Sequence, residues 1–542
     1  MLNVCKRLAL MIALCLPSFP SLAAELSILA RPGPWPVADN LVAYRGRIWF
    51  SAAVKGVDHN SADIWSFDPG TEELRFERYL FSQDAGRPSV HKGLLYWPHE
   101  DMRIGLGEGV ISVTNGGKWA ELFVATDDLM MHTHAAVEWK GKLVTAMAGW
   151  NSVLAASTDA GMSWTALVND PPKTGSFHRY NDVVALDERL FVRHWQDTGL
   201  TLAEYRDGGV AAVDGWPKGR IFSALTPFAG ALYALVESDS GKNELWRIAT
   251  GRPERVEAAP EGLDMQHMIS DGRSLWLVVR TDDGAQLWSS ADGKTFTPGD
   301  TVRGGNVHSA MALAAGKIYL AGEGADGKAI LWGPTDVSIV DVPDPIALPD
   351  QPREADPQFD EAAERNRLQA ALSAPQNYAR HGRPLHKIIS MALARNPPSG
   401  FLASLLDAEV PDVDIEIFGG RFSVPARDIA RWQILAAMAQ RGEKTVPARL
   451  LTTRWQRQPN RPQKWFDALL IAMHAVQLSG QNDRATVDAL IGRLDNSGDP
   501  FWLQSQVTGT LTAITGMDFA YDRDAWKRWW DIVKATWPQK SS

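Results

Sequence analysis

One phrase recurs seven times along the first part of this 542-residue chain. A polar start leads into a short apolar run, a turn residue, and a dense second apolar run. The copies read DNLVAYRGRIWFSA, RPSVHKGLLYWPHE, THAAVEWKGKLVTAMAG, YNDVVALDERLFVRHW, FSALTPFAGALYALVE, QHMISDGRSLWLVVR and HSAMALAAGKIYLAGE. Their turn residues are Gly46, Gly93, Gly141, Glu188, Gly230, Gly272 and Gly316, spaced by 47, 48, 47, 42, 42 and 44 residues. Each copy continues into a second segment of the same build, such as DIWSFDPGTEELRF, GVISVTNGGKWAEL or QLWSSADGKTFTP. Apolar alternation on both sides of Asp-Gly, Gly-Gly or Asn-Gly is a hairpin signal. Two hairpins make a four-stranded sheet, and four strands in ~40–45 residues is the period of a β-propeller blade. The repeat therefore predicts a seven-bladed β-propeller over residues 25–342. The segment AELSILA ahead of the first copy offers a strand to the last blade, closing the ring. Twenty-two Trp against nine Tyr fits packing between blades, where large flat side chains bury the most area.

The N-terminus, MLNVCKRLALMIALCLPSFPSLAAELS, places Lys6 and Arg7 before an apolar run from Leu8 to Leu16, then Pro17, Pro20 and small residues. This is the build of a secretory signal over residues 1–24, since the apolar run is too short to span a bilayer. The expectation is an exported chain, periplasmic or secreted, with no membrane span after signal cleavage. Cys5 and Cys15, the two cysteines, both lie in that segment, so the remainder has no thiol for disulfides, nucleophiles or thiolate metal sites. The formal net charge of −9 becomes more negative once Lys6 and Arg7 leave, which argues against a nucleic-acid partner.

The stretch STDAGMSW, with Ser157, Asp159, Gly161 and Trp164, has the pattern Ser-x-Asp-x-Gly-x-x-Trp, and SSADGKTF, with Asp292, Gly293 and Phe296, occupies the same place in blade six. These stretches resemble the Asp boxes of the BNR (sialidase-like) β-propeller superfamily. The resemblance implies structural turns, in which the aspartate holds its own backbone and the aromatic residue pins the hairpin. Sialidases are usually six-bladed and carry an arginine triad, a Tyr–Glu pair and an acid aspartate. Seven copies depart from that pattern, and no arginine here carries a motif that maps onto the triad. A sialidase-like glycoside hydrolase stays open only as an alternative.

The innermost strand of each propeller blade begins at a mouth of the central channel, so residues just ahead of it converge from all blades. Those windows contain Asp39 and Asn40, Arg87, His132 and His134, His178 with Arg179, Tyr180 and Asn181, Phe222 and Ser223, Gln266 and His267, and Asn306 with His308. Imidazole titrates near neutral pH and ligates metals. His132, His134, His178, His267 and His308 are thus candidate ligands for a divalent or copper ion, and a metal-dependent lyase or oxidoreductase is a second alternative. The plainer reading is polar lining of a channel mouth without metal. The Gly105-x-Gly107-x-Gly109 run lacks the strand–helix context of a nucleotide loop. Asp63, Glu100 and Asp101 read as solvated loop charges.

Five prolines among acidic residues mark 343–360 as an extended, semi-rigid linker. After it the apolar period changes from two to about 3.6, predicting an all-α domain over 361–542, interrupted by a small hairpin turning at Gly419-Gly420. The end, with Thr515, Gly516, Phe519, Tyr521, Asp522, Ala525, Trp526, Trp529 and Trp530, resembles the terminal unit of bacterial HEAT-like helical domains, and the three tryptophans read as a cap on its core. That resemblance implies partner docking without catalysis. The expectation is a binding or scaffold protein that takes a small polar ligand, a glycan or a protein partner.

Overall fold

A computed structural model describes residues 25–538 apart from 55–61, 101–107, 126–129, 150, 171–177, 197–198, 218–219, 222–224, 239–240, 242, 258–262, 314–315, 336–342, 350–354, 375–396, 418–421 and 455–467. Seven antiparallel sheets succeed one another along the chain, each meandering outward from its first strand. Blade 1 runs through Val37–Tyr44, Arg47–Ala53, Ala62–Asp68 and Glu73–Leu80. Blades 3, 4 and 6 repeat this order from Met130–Trp139, His178–Leu186 and Asp264–Ser270. Blade 7 contributes Gly305–Leu313, Lys317–Gly324 and Ala329–Gly333 and takes Ser27–Ala30 as its fourth strand. The segment before the first repeat thus closes the ring.

The even spacing of the repeat has a local cause. Four inner hairpins turn on two residues, Arg45-Gly46, Lys92-Gly93, Lys140-Gly141 and Ala229-Gly230, all with positive φ. Paired positive φ is the I′ turn, whose twist matches the strands it joins. Middle strands such as Leu94–Glu100 and Ser152–Ser157 are buried almost throughout, because a blade is covered on both faces by its neighbours. Trp49, Trp97 and Trp332 are fully buried, in apolar clusters that join one blade to the next.

The two Ser-x-Asp turns hold themselves as their residues require. Ser157 Oγ donates to Asp159 Oδ1 at 2.7 Å, Ser163 N to the same oxygen at 2.9 Å, and Trp164 Nε1 to the Gly161 carbonyl at 2.9 Å. In blade 6 the serine that bonds Asp292 is Ser290, at 2.8 Å, and Phe296 is buried. Each turn also braces the preceding blade. Gly161 abuts Leu122, and Gly293 abuts Tyr233 so closely that a Cβ there would collide.

The C-terminal region is helical, with α1 (Glu361–Leu372), α2 (Ala426–Arg441), α3 (Ala448–Leu451), α4 (Ala468–Ser479), α5 (Arg484–Arg493), α6 (Phe501–Thr515) and α7 (Arg523–Val533) among the described residues. Asp360, Asp483 and Asp522 cap α1, α5 and α7 by accepting backbone N–H bonds, as short polar side chains do at helix starts. The expected hairpin pairs Asp414–Ile417 with Phe422–Pro425; its turn, and the helix expected over 383–396, lie outside the described residues. Trp526 and Trp530 are buried, and Trp529 packs on Trp526 with ring centroids 5.8 Å apart, the cap expected of them.

The proline-rich segment lies against the propeller. Ile346 N donates to the Lys92 carbonyl at 3.3 Å, and Leu348 joins the cluster between blades 2 and 3. The helical core is itself continuous with the propeller through Tyr79, Phe81 and Val110. Proline density makes a segment stiff, but stiffness does not keep its apolar residues off a neighbouring surface. Among the described residues, no helix is long and apolar enough to cross a membrane.

Candidate ligand site at the channel mouth

The innermost strands are irregular at one common level. In blade 1 the ladder jumps from Asp39 to Val42, leaving Asn40 and Leu41 opposite a single residue. It skips His134 in blade 3, Asn181 in blade 4, Gln266 in blade 6 and His308 in blade 7. In blades 2 and 5 the innermost strand is split in two, and Arg87 stands in the gap of blade 2. A β-bulge inserts one residue, bends the strand and re-aims a side chain, and bulges gather beside functional sites. Each of blades 1, 3, 4, 6 and 7 thus has a bulge that includes a polar residue of the predicted channel windows, and blade 3 has a second one at Met131. Phe222 and Ser223 of blade 5 lie outside the described residues.

These irregularities are stitched from blade to blade. Asn40 Nδ2 donates to the Ala85 carbonyl at 2.8 Å, Leu41 N to Ser309 Oγ at 3.3 Å, and Arg87 N to the His134 carbonyl at 2.8 Å. Arg87 then reaches past blade 3 to blade 4, where its guanidinium donates to Asp182 Oδ1 at 2.7 Å and to the Val183 carbonyl. This ion pair lies further along the strand than Asn181 and fixes three consecutive blades to one another.

The first strands of blades 3 and 4 carry cationic and imidazole side chains at this level. The His132 and His134 rings stack with centroids 5.3 Å apart and planes 5° from parallel, so both share one strand face. Burial drives the His134 ring down to about 3, and the positive charges of Arg179 and Arg193 push the same way. His134 is therefore a neutral imidazole at any physiological pH. Its Nε2 and the Asn181 Oδ1 are buried without a hydrogen-bond partner. Arg179 lies over the Trp195 ring at 5.9 Å, and Trp195 is 40% exposed. On the opposite side, His267 Nε2 meets the Val307 carbonyl at 3.1 Å. Burial lowers its pKa against the pull of Asp39, and His308 adds to the lowering. Gln266 bridges Asp264 and Arg280.

Two predicted residues go elsewhere. Tyr180 is fully buried between blades 3 and 4, its hydroxyl 3.3 Å from Asp170 Oδ2, and Asn306 is exposed on its strand. His132 and His134 belong to blade 3, whereas His267 and His308 belong to blades 6 and 7; the side chain of His178 lies outside the described residues. Among the described residues, no group of three or more His, Cys, Asp or Glu is arranged to hold a metal ion.

Sequence reasoning missed the polar groups between propeller and helices. Asp63, expected as a solvated loop charge, has no exposed surface. It accepts from Tyr521 Oη, from Trp35 Nε1 at 2.7 Å and from Ser505 Oγ at 3.1 Å. The helices packed over blade 1 shield it, and local sequence carries no trace of them. Burial raises its carboxyl to about 7 against those three donors. Nearby, Glu121 is buried between Arg78 at 2.9 Å and His474 at 3.0 Å. Burial pushes the Glu121 pKa up, but His474, Arg78 and His99 together pull it below the usual carboxylate range. A signal existed for this cluster, since His474 interrupts the otherwise apolar LLIAMHAV.

No family model matches this chain, and no curated protein matches it. Solved structures do. The β-propeller domain of the Trilobed protease from Pyrococcus furiosus shares 9% identity, with 60% of this chain and 100% of that chain covered, at a TM-score of 0.38. The Neurospora crassa Pan2 WD40 domain shares 10% identity over 59% of this chain and 96% of that chain, at 0.39. Pyrococcus horikoshii acylaminoacyl peptidase shares 8% identity over 56% of this chain and 52% of that chain, at 0.38. These are likenesses of fold alone.

Proposed function

We propose that this chain is an exported binding or scaffold protein whose propeller mouth holds a small polar ligand bearing a carboxylate, free or at the end of a protein partner. The observation that carries the reading is the ring of polar residues set at the bulges and gaps of the inner strands: Asn40, Arg87, His134, Asn181, Gln266 and His308. Arg179 and Arg193 add positive charge beside a neutral His134, and guanidinium suits a planar carboxylate. The unpartnered buried His134 Nε2 can donate to such a carboxylate, while the unpartnered Asn181 Oδ1, an acceptor, calls for a donor elsewhere on the ligand; both are costly unmet. The build of residues 1–24 supports export, the Asp-box turns support kinship with the BNR propellers, and the Tyr521–Trp530 segment supports a HEAT-like tail.

The test is a thermal-shift panel on the purified protein with citrate and succinate as probes, and with glucose and spermidine as controls. A ligand at a hundred times its Kd stabilises the folded state by about 2.7 kcal/mol, which raises Tm by about 2 °C in a chain of this size. The expected result is stabilisation by a carboxylate that Arg179→Gln abolishes. No shift with either carboxylate, or an equal shift in Arg179→Gln, overturns the reading.

A further inference from the structure

A cleft of about 510 Å³ lies between the outer strands of blades 1 and 2 and helices α2, α4 and α6. Its floor and walls include Glu77, Arg78, Trp119, Gln477 and Ala513. It is separate from the channel mouth, being built on the outermost strands rather than the innermost ones. Domain junctions are where small-molecule sites gather, and roughly 300–1,000 Å³ is their usual volume.

Gln477 points to a ligand. It is 6% exposed, and its Nε2 donates to the Tyr79 carbonyl at 2.9 Å, which fixes the amide orientation. Its Oε1 is buried without a hydrogen-bond partner, although Gln477 lines the cleft. A buried acceptor left unmet is costly, so a donor from a bound molecule is favoured there. The charges of the cleft cancel within its own walls. Arg78 pairs with Glu121 at 2.9 Å, Ser66 Oγ donates to Glu77, and Lys118 stands exposed at the rim. An ionised ligand entering this cleft gives up hydration and meets no net counter-charge. A neutral ligand rich in hydroxyls meets the Gln477 acceptor and the Glu77 carboxyl while laying its C–H faces on Trp119, Phe76 and Leu348, which also line the cleft.

We propose that this cleft is a second ligand site, for a neutral polyhydroxylated molecule of mono- or disaccharide size. The test is isothermal titration of the full chain with maltose, trehalose and N-acetylglucosamine, with glucuronate and glucosamine as charged counterparts. Ala513 is an exposed position of α6 on the cleft, so Ala513→Trp blocks it without entering the core. Gln477→Leu removes the acceptor, and thermal melts confirm that both variants fold. The expected result is that at least one neutral sugar binds and that each variant weakens it tenfold or more. Arg179→Gln, which tests the mouth, leaves sugar binding unchanged, so the two readings fail separately. Absence of neutral-sugar binding up to about 10 mM, tighter binding of a charged counterpart, or equal binding in Ala513→Trp overturns the proposal.

Discussion

Replacing Asp63 by Asn isolates the contact that ties the last helices to blade 1. The carboxyl is wholly buried and sits at about 7, against 3.8 for an exposed aspartate. A group that binds its proton more tightly folded than unfolded contributes stability that is complete below the unfolded pKa and is lost as pH rises through the folded one. At about 1.4 kcal/mol per pKa unit, the wild type loses on the order of 4 kcal/mol at this site between pH 4 and pH 8. Asparagine keeps the shape. Its carbonyl takes the place of Oδ2, which accepts from Trp35 and Tyr521, and its amide faces the Ser505 hydroxyl, which can turn to accept. The variant has no proton to lose, so its stability relative to wild type rises across that window and favours the variant most at pH 8. Thermal melts by circular dichroism at half-unit steps from pH 4 to pH 8 measure this directly. Wild type and Asp63→Asn falling in parallel over that range would refute the argument, because the titrating group would then lie elsewhere.

Two other perturbations test the same architecture. Glu121 carries a depressed pKa, so its contribution is present above the usual carboxylate range and is lost as pH falls. Glu121→Gln leaves Arg78 and His474 without their anion and destabilises the protein at pH 7 by about 3–5 kcal/mol, with a flatter acid limb in urea titrations below pH 4.5. Deleting residues 25–30 strips the fourth strand from blade 7 and bares the buried edge Ala329–Gly333. Light scattering should show self-association, since an unpaired apolar edge is a template for another chain.

The propeller was legible because a blade is a local object. Each hairpin announces itself through alternation and a turn such as Lys140-Gly141, and the repeat multiplies that signal sevenfold. The polar windows named from the sequence contain the bulged residues Asn40, His134, Asn181, Gln266 and His308. The bulges themselves were not legible, because a one-residue slip in register depends on the partner strand and leaves no mark on the residue itself. Tyr180 shows the converse error: it shares a window with Arg179 and Asn181, but its side chain goes between blades. The junction with the helices was the least legible part. Asp63 and Tyr521 are 458 positions apart, and no periodicity connects them. Only the oddity of His474 in an apolar helix hinted that a buried anion stood opposite.

Hydrogen exchange of the protein with and without citrate probes the channel reading most directly. Bound at the mouth, the carboxylate should slow exchange in the inner strands Val37–Tyr44, Met130–Trp139, His178–Leu186, Asp264–Ser270 and Gly305–Leu313. The outer strands Thr165–Asp170, Gly209–Ala212 and Thr297–Arg303 should not change. Protection confined to the outer strands, or none anywhere, would contradict a polar ring that gathers its ligand on the propeller axis.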